Sequence, residues 1–279
     1  MTLAEPVAAP ARPDVATTAK TAPARWSWLG RVPFAPTTAL QERLRQRILS
    51  DAGGETLLLL EHHPVITLGR SAVDEHVLVA AGELERRGVA LHHASRGGDV
   101  TYHGPGQLVG YPVVRLDRGV VGYLRAMADG LCEVLAALGI TAFWRREAPG
   151  LWTKSQHGGT EALSKICSFG VNVHHRVAIH GFALNVAVDL DAFRLIVPCG
   201  LDGVQMTSVE RQLGQSDGVR QLGQTDGARQ LGQSDGARVI DRSRAAIPSL
   251  EGLANEVASA FCHSFGRAFV RASAAEVRA

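Results

Sequence analysis

The chain has 279 residues, 46% hydrophobic and 20% charged, and 29 basic against 27 acidic side chains leave a formal net charge of only +2. That balance argues against a polyanion binder, which carries a basic stripe and a clearly higher isoelectric point. Glycine and proline, 30 and 12 residues, stay below the roughly 25–30% of low-complexity or fibrous chains. No run approaches the ~20 apolar residues of a membrane-spanning helix, so neither nucleic acid nor a membrane is an expected partner.

Residues Met1 to about Arg25 are rich in Ala, Pro and Thr and have no apolar segment of the secretory type; a disordered tail is expected there. From Trp26 the hydrophobic pattern begins. Leu40, Leu44 and Ile48 predict a helix over Thr38–Ser50, stopped by Gly53-Gly54. Thr56–Leu60 and Val65–Leu68 read as strands, Glu83–Arg87 as a short helix, and Ala90–His93 and Leu108–Arg115 as strands. Leu124, Met127, Leu131, Leu135 and Leu138 predict a helix over Tyr123–Leu138 with Gly139 as its stop. Strands are expected near Thr141–Trp144, Ile166–Val173 and Phe182–Val188, and a last helix over Ser249–Phe265 with Ser249 as N-cap. Clustered strands with short links predict an α/β or α+β fold with a central mixed sheet flanked by helices.

Residues Arg211–Ala237 are three tandem nonapeptides, RQLGQSDGV, RQLGQTDGA and RQLGQSDGA. A calcium-binding β-roll needs paired glycines and more turns than these units supply. A net-neutral, flexible surface loop is the expected form.

Four cysteines are too few for a disulfide scaffold in a chain this long, which points to reduced thiols and a cytoplasmic setting. Cys132, Cys167 and Cys262 sit in apolar patterns and read as small core residues. Cys199 closes an apolar run and stands between Pro198 and Gly200. Proline fixes φ before it and glycine frees the backbone after it, so the thiol is either a presented nucleophile or part of a structural turn. Of 29 basic residues only Lys20, Lys154 and Lys165 are lysines. Lys165 precedes an apolar strand and reads either as an ordinary surface lysine or as a proton carrier, a task arginine cannot perform near neutrality. The run from Ser95 to Gln107 holds four glycines with Arg96, Asp99, Tyr102 and His103, and reads as a loop through which backbone meets a ligand. His180–Asn185 reads as a strand whose polar groups meet a pocket at a sheet edge. The pairs His62-His63, His92-His93 and His174-His175 do not suit a metal, since neighbours in a strand point to opposite faces.

Taken together, EHHPVITLGR (Glu61–Arg70), SRGGDVTYHGPGQLVGYP (Ser95–Pro112), KICSFGVNV (Lys165–Val173), HGFALNV (His180–Val186), PCGL (Pro198–Leu201) and TSVERQLG (Thr207–Gly214) resemble the lipoyl(octanoyl) transferase family, over roughly residues 26–265. The resemblance implies the fold of the biotin and lipoate ligase catalytic domain, one domain over 26–270, and no cofactor or metal. It implies a thioester on Cys199 with Lys165 beside it. Acyl contacts are implied from Arg96, Gly97, Gly98, Asp99, Val100, Thr101, Tyr102 and His103, from Ser168, Phe169 and Gly170, and from His180, Gly181, Phe182 and Ala183. The donor would be octanoyl-acyl carrier protein. The acceptors would be lipoyl domains of 2-oxoacid dehydrogenase E2 subunits and the glycine cleavage H protein, and the enzyme a monomer. Backbone N–H groups of the glycine-rich run or near Gly200 are expected oxyanion donors. The nonapeptide array departs from the family pattern, as do Cys167 and Ser168, which stand where alanine is common. The nearest rival is an ATP-dependent lipoate or biotin ligase, which needs no cysteine in PCG.

Overall fold

Four consecutive leucines at 57–60 call for a strand buried on both faces. In a computed structural model, which describes residues 23–157, 160–200, 203–214 and 247–279, they occupy β2 (Thr56–His62) of a nine-stranded mixed sheet. Its order is β12 (Phe269–Arg271), β1 (Ala24–Val32), β2, β6 (Gln107–Val113), β10 (Val177–Asn185), β9 (Thr160–His174), β8 (Gly150–His157) and β7 (Phe143–Trp144), with β11 (Gln205–Met206) added to β9. Pairs β1–β12, β1–β2 and β11–β9 are parallel and the others antiparallel. A second sheet holds β4 (Ala90–His93), β3 (Val65–Leu68) and β5 (Val100–His103) in that order.

Strand alternation divides the leucines between two cores. Leu57 and Leu59 face α3 (Gly119–Ala137) and α4 (Leu250–Phe265), meeting Met127, Leu131, Leu135, Leu253, Val257 and Phe261. Leu58 and Leu60 face α1 (Phe34–Leu49) and meet Leu40, Leu44 and Ile48. Ser249 caps α4 by accepting the Gly252 N–H at 3.1 Å. Gly139, at φ +80°, follows α3 in the left-handed conformation expected of a stop. Two short α-helices, α2 (Ala81–Arg86) and α5 (Ala274–Arg278), accompany 3-10 turns at Asp74–His76, Leu190–Leu195 and Pro198–Gly200.

Three expectations shift. The sheet begins at Ala24, which pairs with Phe269 and is buried, so ordered structure starts before Trp26. The glycine-rich run is not loop throughout, because Val100–His103 pairs with β3. His180–Asn185 lies in an interior strand between β6 and β9, not at a sheet edge. Residues 1–22 and 215–237, which hold most of the expected tail and of the nonapeptide array, lie outside the described residues; 211–214 are helical.

Phe261 is fully buried and its ring meets those of Phe182 and Phe265. Phe261→Ala should therefore lower the unfolding free energy by about 3–5 kcal/mol, read as a reduced urea midpoint.

Candidate active site

Lys165 is not a surface lysine. It lies inside β9, is 1% exposed, and donates from Nζ to Cys199 Sγ at 3.1 Å. Local backbone accounts for the meeting. β8 advances one residue between Leu151 and Trp152 while β9 advances two between Cys167 and Lys165, a bulge that leaves Ile166 extra. Bulges re-aim side chains, and this one turns Lys165 out of the alternation that sends Cys167 into the core. Gly150, opposite, leaves room: a Cβ there would stand 2.7 Å from Lys165 Cε and 2.3 Å from the Cys167 carbonyl oxygen. On the other edge of β9, β11 pairs Met206 with Lys165, and Thr207 N–H donates to the Lys165 carbonyl at 3.0 Å. This pairing returns the chain after Pro198-Cys199-Gly200 to Lys165. The Trp152 ring centroid stands 5.3 Å from Lys165 Nζ, within cation–π range.

Cys199 itself has φ 60° and ψ 16°, a left-handed conformation that costs a non-glycine residue energy and that surrounding contacts must enforce. Gly200 follows at φ +64°, and a Cβ on it would stand 2.3 Å from Asp99 Oδ2. The Gly200 N–H donates to the Val197 carbonyl at 3.1 Å, so it is occupied within the turn and is not a spare oxyanion donor.

The cleft beside this pair lies where the two sheets meet. Of the residues named from sequence, Arg96, Asp99, Val100, Thr101, His103, Ser168, Phe169, Gly170, His180, Gly181, Phe182, Ala183 and Cys199 line it. Gly97, Gly98, Tyr102 and Lys165 do not, Lys165 meeting the site through Cys199 Sγ. The cause for Tyr102 is strand alternation in β5: Thr101 and His103 face the cleft, while the Tyr102 ring packs on Phe193 behind it. Gly97 donates to the Val171 carbonyl at 2.9 Å, and Gly98 accepts from Ser71 N at 3.1 Å. Arg96 lines the cleft with its donors already engaged by Thr67, Gly97 and Asp99, so it buttresses the wall and offers no free guanidinium to a ligand. Burial lowers this guanidinium, opposed by Cys199, Tyr111 and Asp99. Cys167 lies in the core, outside the cleft, while Ser168 lines it.

A buried polar layer forms part of the cleft wall and continues behind it. His62 Nε2 meets the Tyr111 hydroxyl at 2.8 Å, His103 Nδ1 meets Gln107 Oε1 at 2.8 Å, and His180 Nε2 meets Ser95 Oγ at 3.1 Å. Gln107 Nε2 donates to Asn185 Oδ1 at 3.0 Å, and Asn185 Nδ2 to the Thr207 carbonyl at 3.0 Å. Burial lowers His62 to about 4 and His180 to about 3, and takes His103 well below the ordinary imidazole range. Burial acts oppositely on the remaining core thiols, pushing Cys132 up to about 11 and Cys167 higher still. His62 is buried while His63 is exposed, as the opposite-face argument requires; His174 and His175 depart from it, because His175 lies in the turn after β9 at φ 45° and the two exposed rings meet with centroids 4.0 Å apart. Among the described residues no group of three or more His, Cys, Asp or Glu side chains is placed to hold a metal, and no helix is long and apolar enough to cross a membrane.

Sequence reasoning missed His76, whose Nδ1 stands 2.6 Å from Asp99 Oδ2. It also missed Phe34 and Tyr111 in the cleft wall. No spacing pattern marks His76.

A family profile described as the Lipoyl protein ligase A/B catalytic domain matches residues 33–225. Proteins named octanoyltransferase from Myxococcus xanthus and Acidobacterium capsulatum are 42% and 43% identical over 191 and 195 residues, covering 67% and 66% of this chain and 53% and 78% of theirs. The chain belongs to the octanoyltransferase family. The chain spans about half the length of the first of these relatives. Among solved structures, a bipartite lipoate protein ligase from Thermoplasma acidophilum superposes with TM-score 0.60 at 17% identity, over 92% of this chain and 89% of that one. A lipoate-protein ligase A bound with ATP gives TM-score 0.60 at 16% identity, over 92% and 91%. This octanoyltransferase-family chain thus shares the ligase fold and carries on it a lysine–cysteine contact whose cysteine lines the cleft.

The buried histidines set a pH limit. Their folded values lie below the ~6.5 of a free imidazole, so below that pH the unfolded chain binds protons that the native state refuses. Stability is complete above about pH 6.5 and falls as pH drops toward the folded values. The thermal midpoint should decline from about pH 7 to pH 5, and less steeply in His62→Gln.

Proposed function

We propose that this chain moves an octanoyl group from octanoyl-acyl carrier protein to the amine of a lysine on lipoyl domains, through a thioester on Cys199. The observation that carries the reading is Lys165 Nζ at 3.1 Å from Cys199 Sγ, with Lys165 buried. A thiolate is the reactive form of cysteine. An ammonium about 4 Å from it is worth up to ~4 kcal/mol at intermediate effective dielectric, before desolvation is counted.

In the first half, the Cys199 thiolate attacks the octanoyl thioester and the carrier sulfur departs. The step is nearly thermoneutral, because one thioester replaces another, and it needs no ATP. Lys165 gives its proton to the departing thiolate and is left neutral. In the second half, the acceptor amine attacks the Cys199 thioester, the C–S electron pair returns to sulfur, and Lys165 takes a proton from the nitrogen as the amide forms. Phe169, Phe182, Ala183 and the glycines at 170 and 181 offer the acyl chain an apolar wall, at ~0.8 kcal/mol per buried CH₂.

Incubation with octanoyl-acyl carrier protein should add the mass of one octanoyl group, and Cys199→Ala should abolish it. An adduct that survives in Cys199→Ala would place the nucleophile elsewhere. Lys165→Ala should lose about 10²–10⁴-fold in turnover while still binding donor, and Lys165→Arg should not restore it, because arginine does not give up its proton. Product from free octanoate and ATP alone would make the chain a ligase instead.

A further inference from the structure

We propose that His76, held by Asp99 beside the Cys199–Gly200 turn, is a second base and takes from the acceptor amine the proton that Lys165 cannot. The inference rests on the thioester reading above and comes from counting protons. An acceptor lysine reaches the site as an ammonium, since its ordinary pKa is near 10.4, and leaves as an amide N–H. It gives up two protons. As the C–N bond forms and the C–S bond breaks, sulfur departs as the thiolate and neutral Lys165 takes one proton, which restores the ion pair. The other needs a separate base that can pass it to water.

Among the described residues, the geometry meets that need at His76. His76 Nδ1 stands 2.6 Å from Asp99 Oδ2. A carboxylate only accepts, so Nδ1 carries a proton, and in the neutral imidazole Nε2 is the nitrogen that can accept another. Asp99 is itself fixed, with Oδ1 accepting the Val100 N–H at 2.7 Å. The imidazole adjoins the catalytic turn: a Cβ on Gly200 would stand 3.2 Å from His76 Cε1. The chain around His76 is tied to the segment before Cys199, since Val197 N–H donates to the His76 carbonyl at 2.8 Å, Leu78 N–H to the Leu195 carbonyl at 2.8 Å, and Val77 bridges to Ile196. The His76 side chain is 28% exposed against 11% for Asp99, so the imidazole reaches solvent while its partner does not. His62, His103 and His180 are buried in hydrogen bonds and have no such outlet. An imidazole held by a carboxylate through one ring nitrogen is the arrangement that general-base catalysis uses in hydrolytic triads.

The test separates the half-reactions with His76→Asn, whose amide can still donate to Asp99 but supplies no base, and with His76→Ala. Acyl-enzyme is formed from octanoyl-acyl carrier protein and followed by intact mass, then isolated and mixed with a purified lipoyl domain. His76→Asn should acylate within about threefold of wild type and transfer more slowly by at least tenfold, at the lower end of what a general base contributes. Added imidazole should restore transfer in His76→Ala. Acylation also reports that each variant is folded. Wild-type rates for both halves in His76→Asn would reduce His76 to a clamp and overturn the proposal. Equal slowing of both halves without imidazole rescue would make it a positioning residue for Cys199, and would overturn it as well. If wild type itself forms no adduct on Cys199, the thioester reading fails first, a result distinct from either.

Discussion

Placing a lysine in the middle of a sheet at 1% exposure removes an ammonium from water, a cost of several kcal/mol unless the charge is met at short range. Here it is met by the Cys199 sulfur at 3.1 Å and by the face of Trp152. The requirement runs in both directions. The ammonium needs an electron-rich neighbour, and a thiol becomes reactive by having an ammonium beside it. Each group therefore justifies the other's position, and the surrounding backbone is shaped to keep them together. The bulge at Ile166, the missing side chain at Gly150 and the parallel pairing of β11 serve the lysine. The left-handed Cys199, the close approach of Gly200 to Asp99 and the bridge from Val77 to Ile196 serve the thiol.

The wall around the pair is built for rigidity. The Arg96 donors end on Thr67, Gly97 and Asp99, and the polar layer of His62, Tyr111, His103, Gln107 and Asn185 is joined by hydrogen bonds. Buried polar groups satisfied this way fix one arrangement, and leaving any of them unpaired costs about 1–3 kcal/mol. Phe169, Phe182 and Ala183 give the cleft an apolar stretch of wall beside this network.

Much of this was legible in the sequence where the determinants are local. The leucine stripes of α3 and α4, the Ser249 cap and the Gly139 stop follow from helix geometry. Cys199 stands out because proline before it and glycine after it constrain the same turn, and Lys165 because lysine is rare in an arginine-rich chain. What stayed hidden depends on pairing across the chain. β5 is made a strand by β3, 32 or more residues away in register terms that spacing does not display, as when Leu68 meets Val100. The bulge in β9 exists only against β8. His76 acquires meaning from Asp99, 23 residues on, and Tyr102 turns from the cleft because its strand alternates once it is paired.

The two members of the candidate dyad are carried differently, for Lys165 belongs to the large sheet while the Cys199 turn leans on Asp99 at the head of the small one. The groove is consequently a joint between two frames, each with its own ladder and tied to the other by the Gly97 N–H on the Val171 carbonyl at 2.9 Å. Divergence within such a scaffold can resize the channel through side chains at the joint, leaving the architecture of each frame untouched.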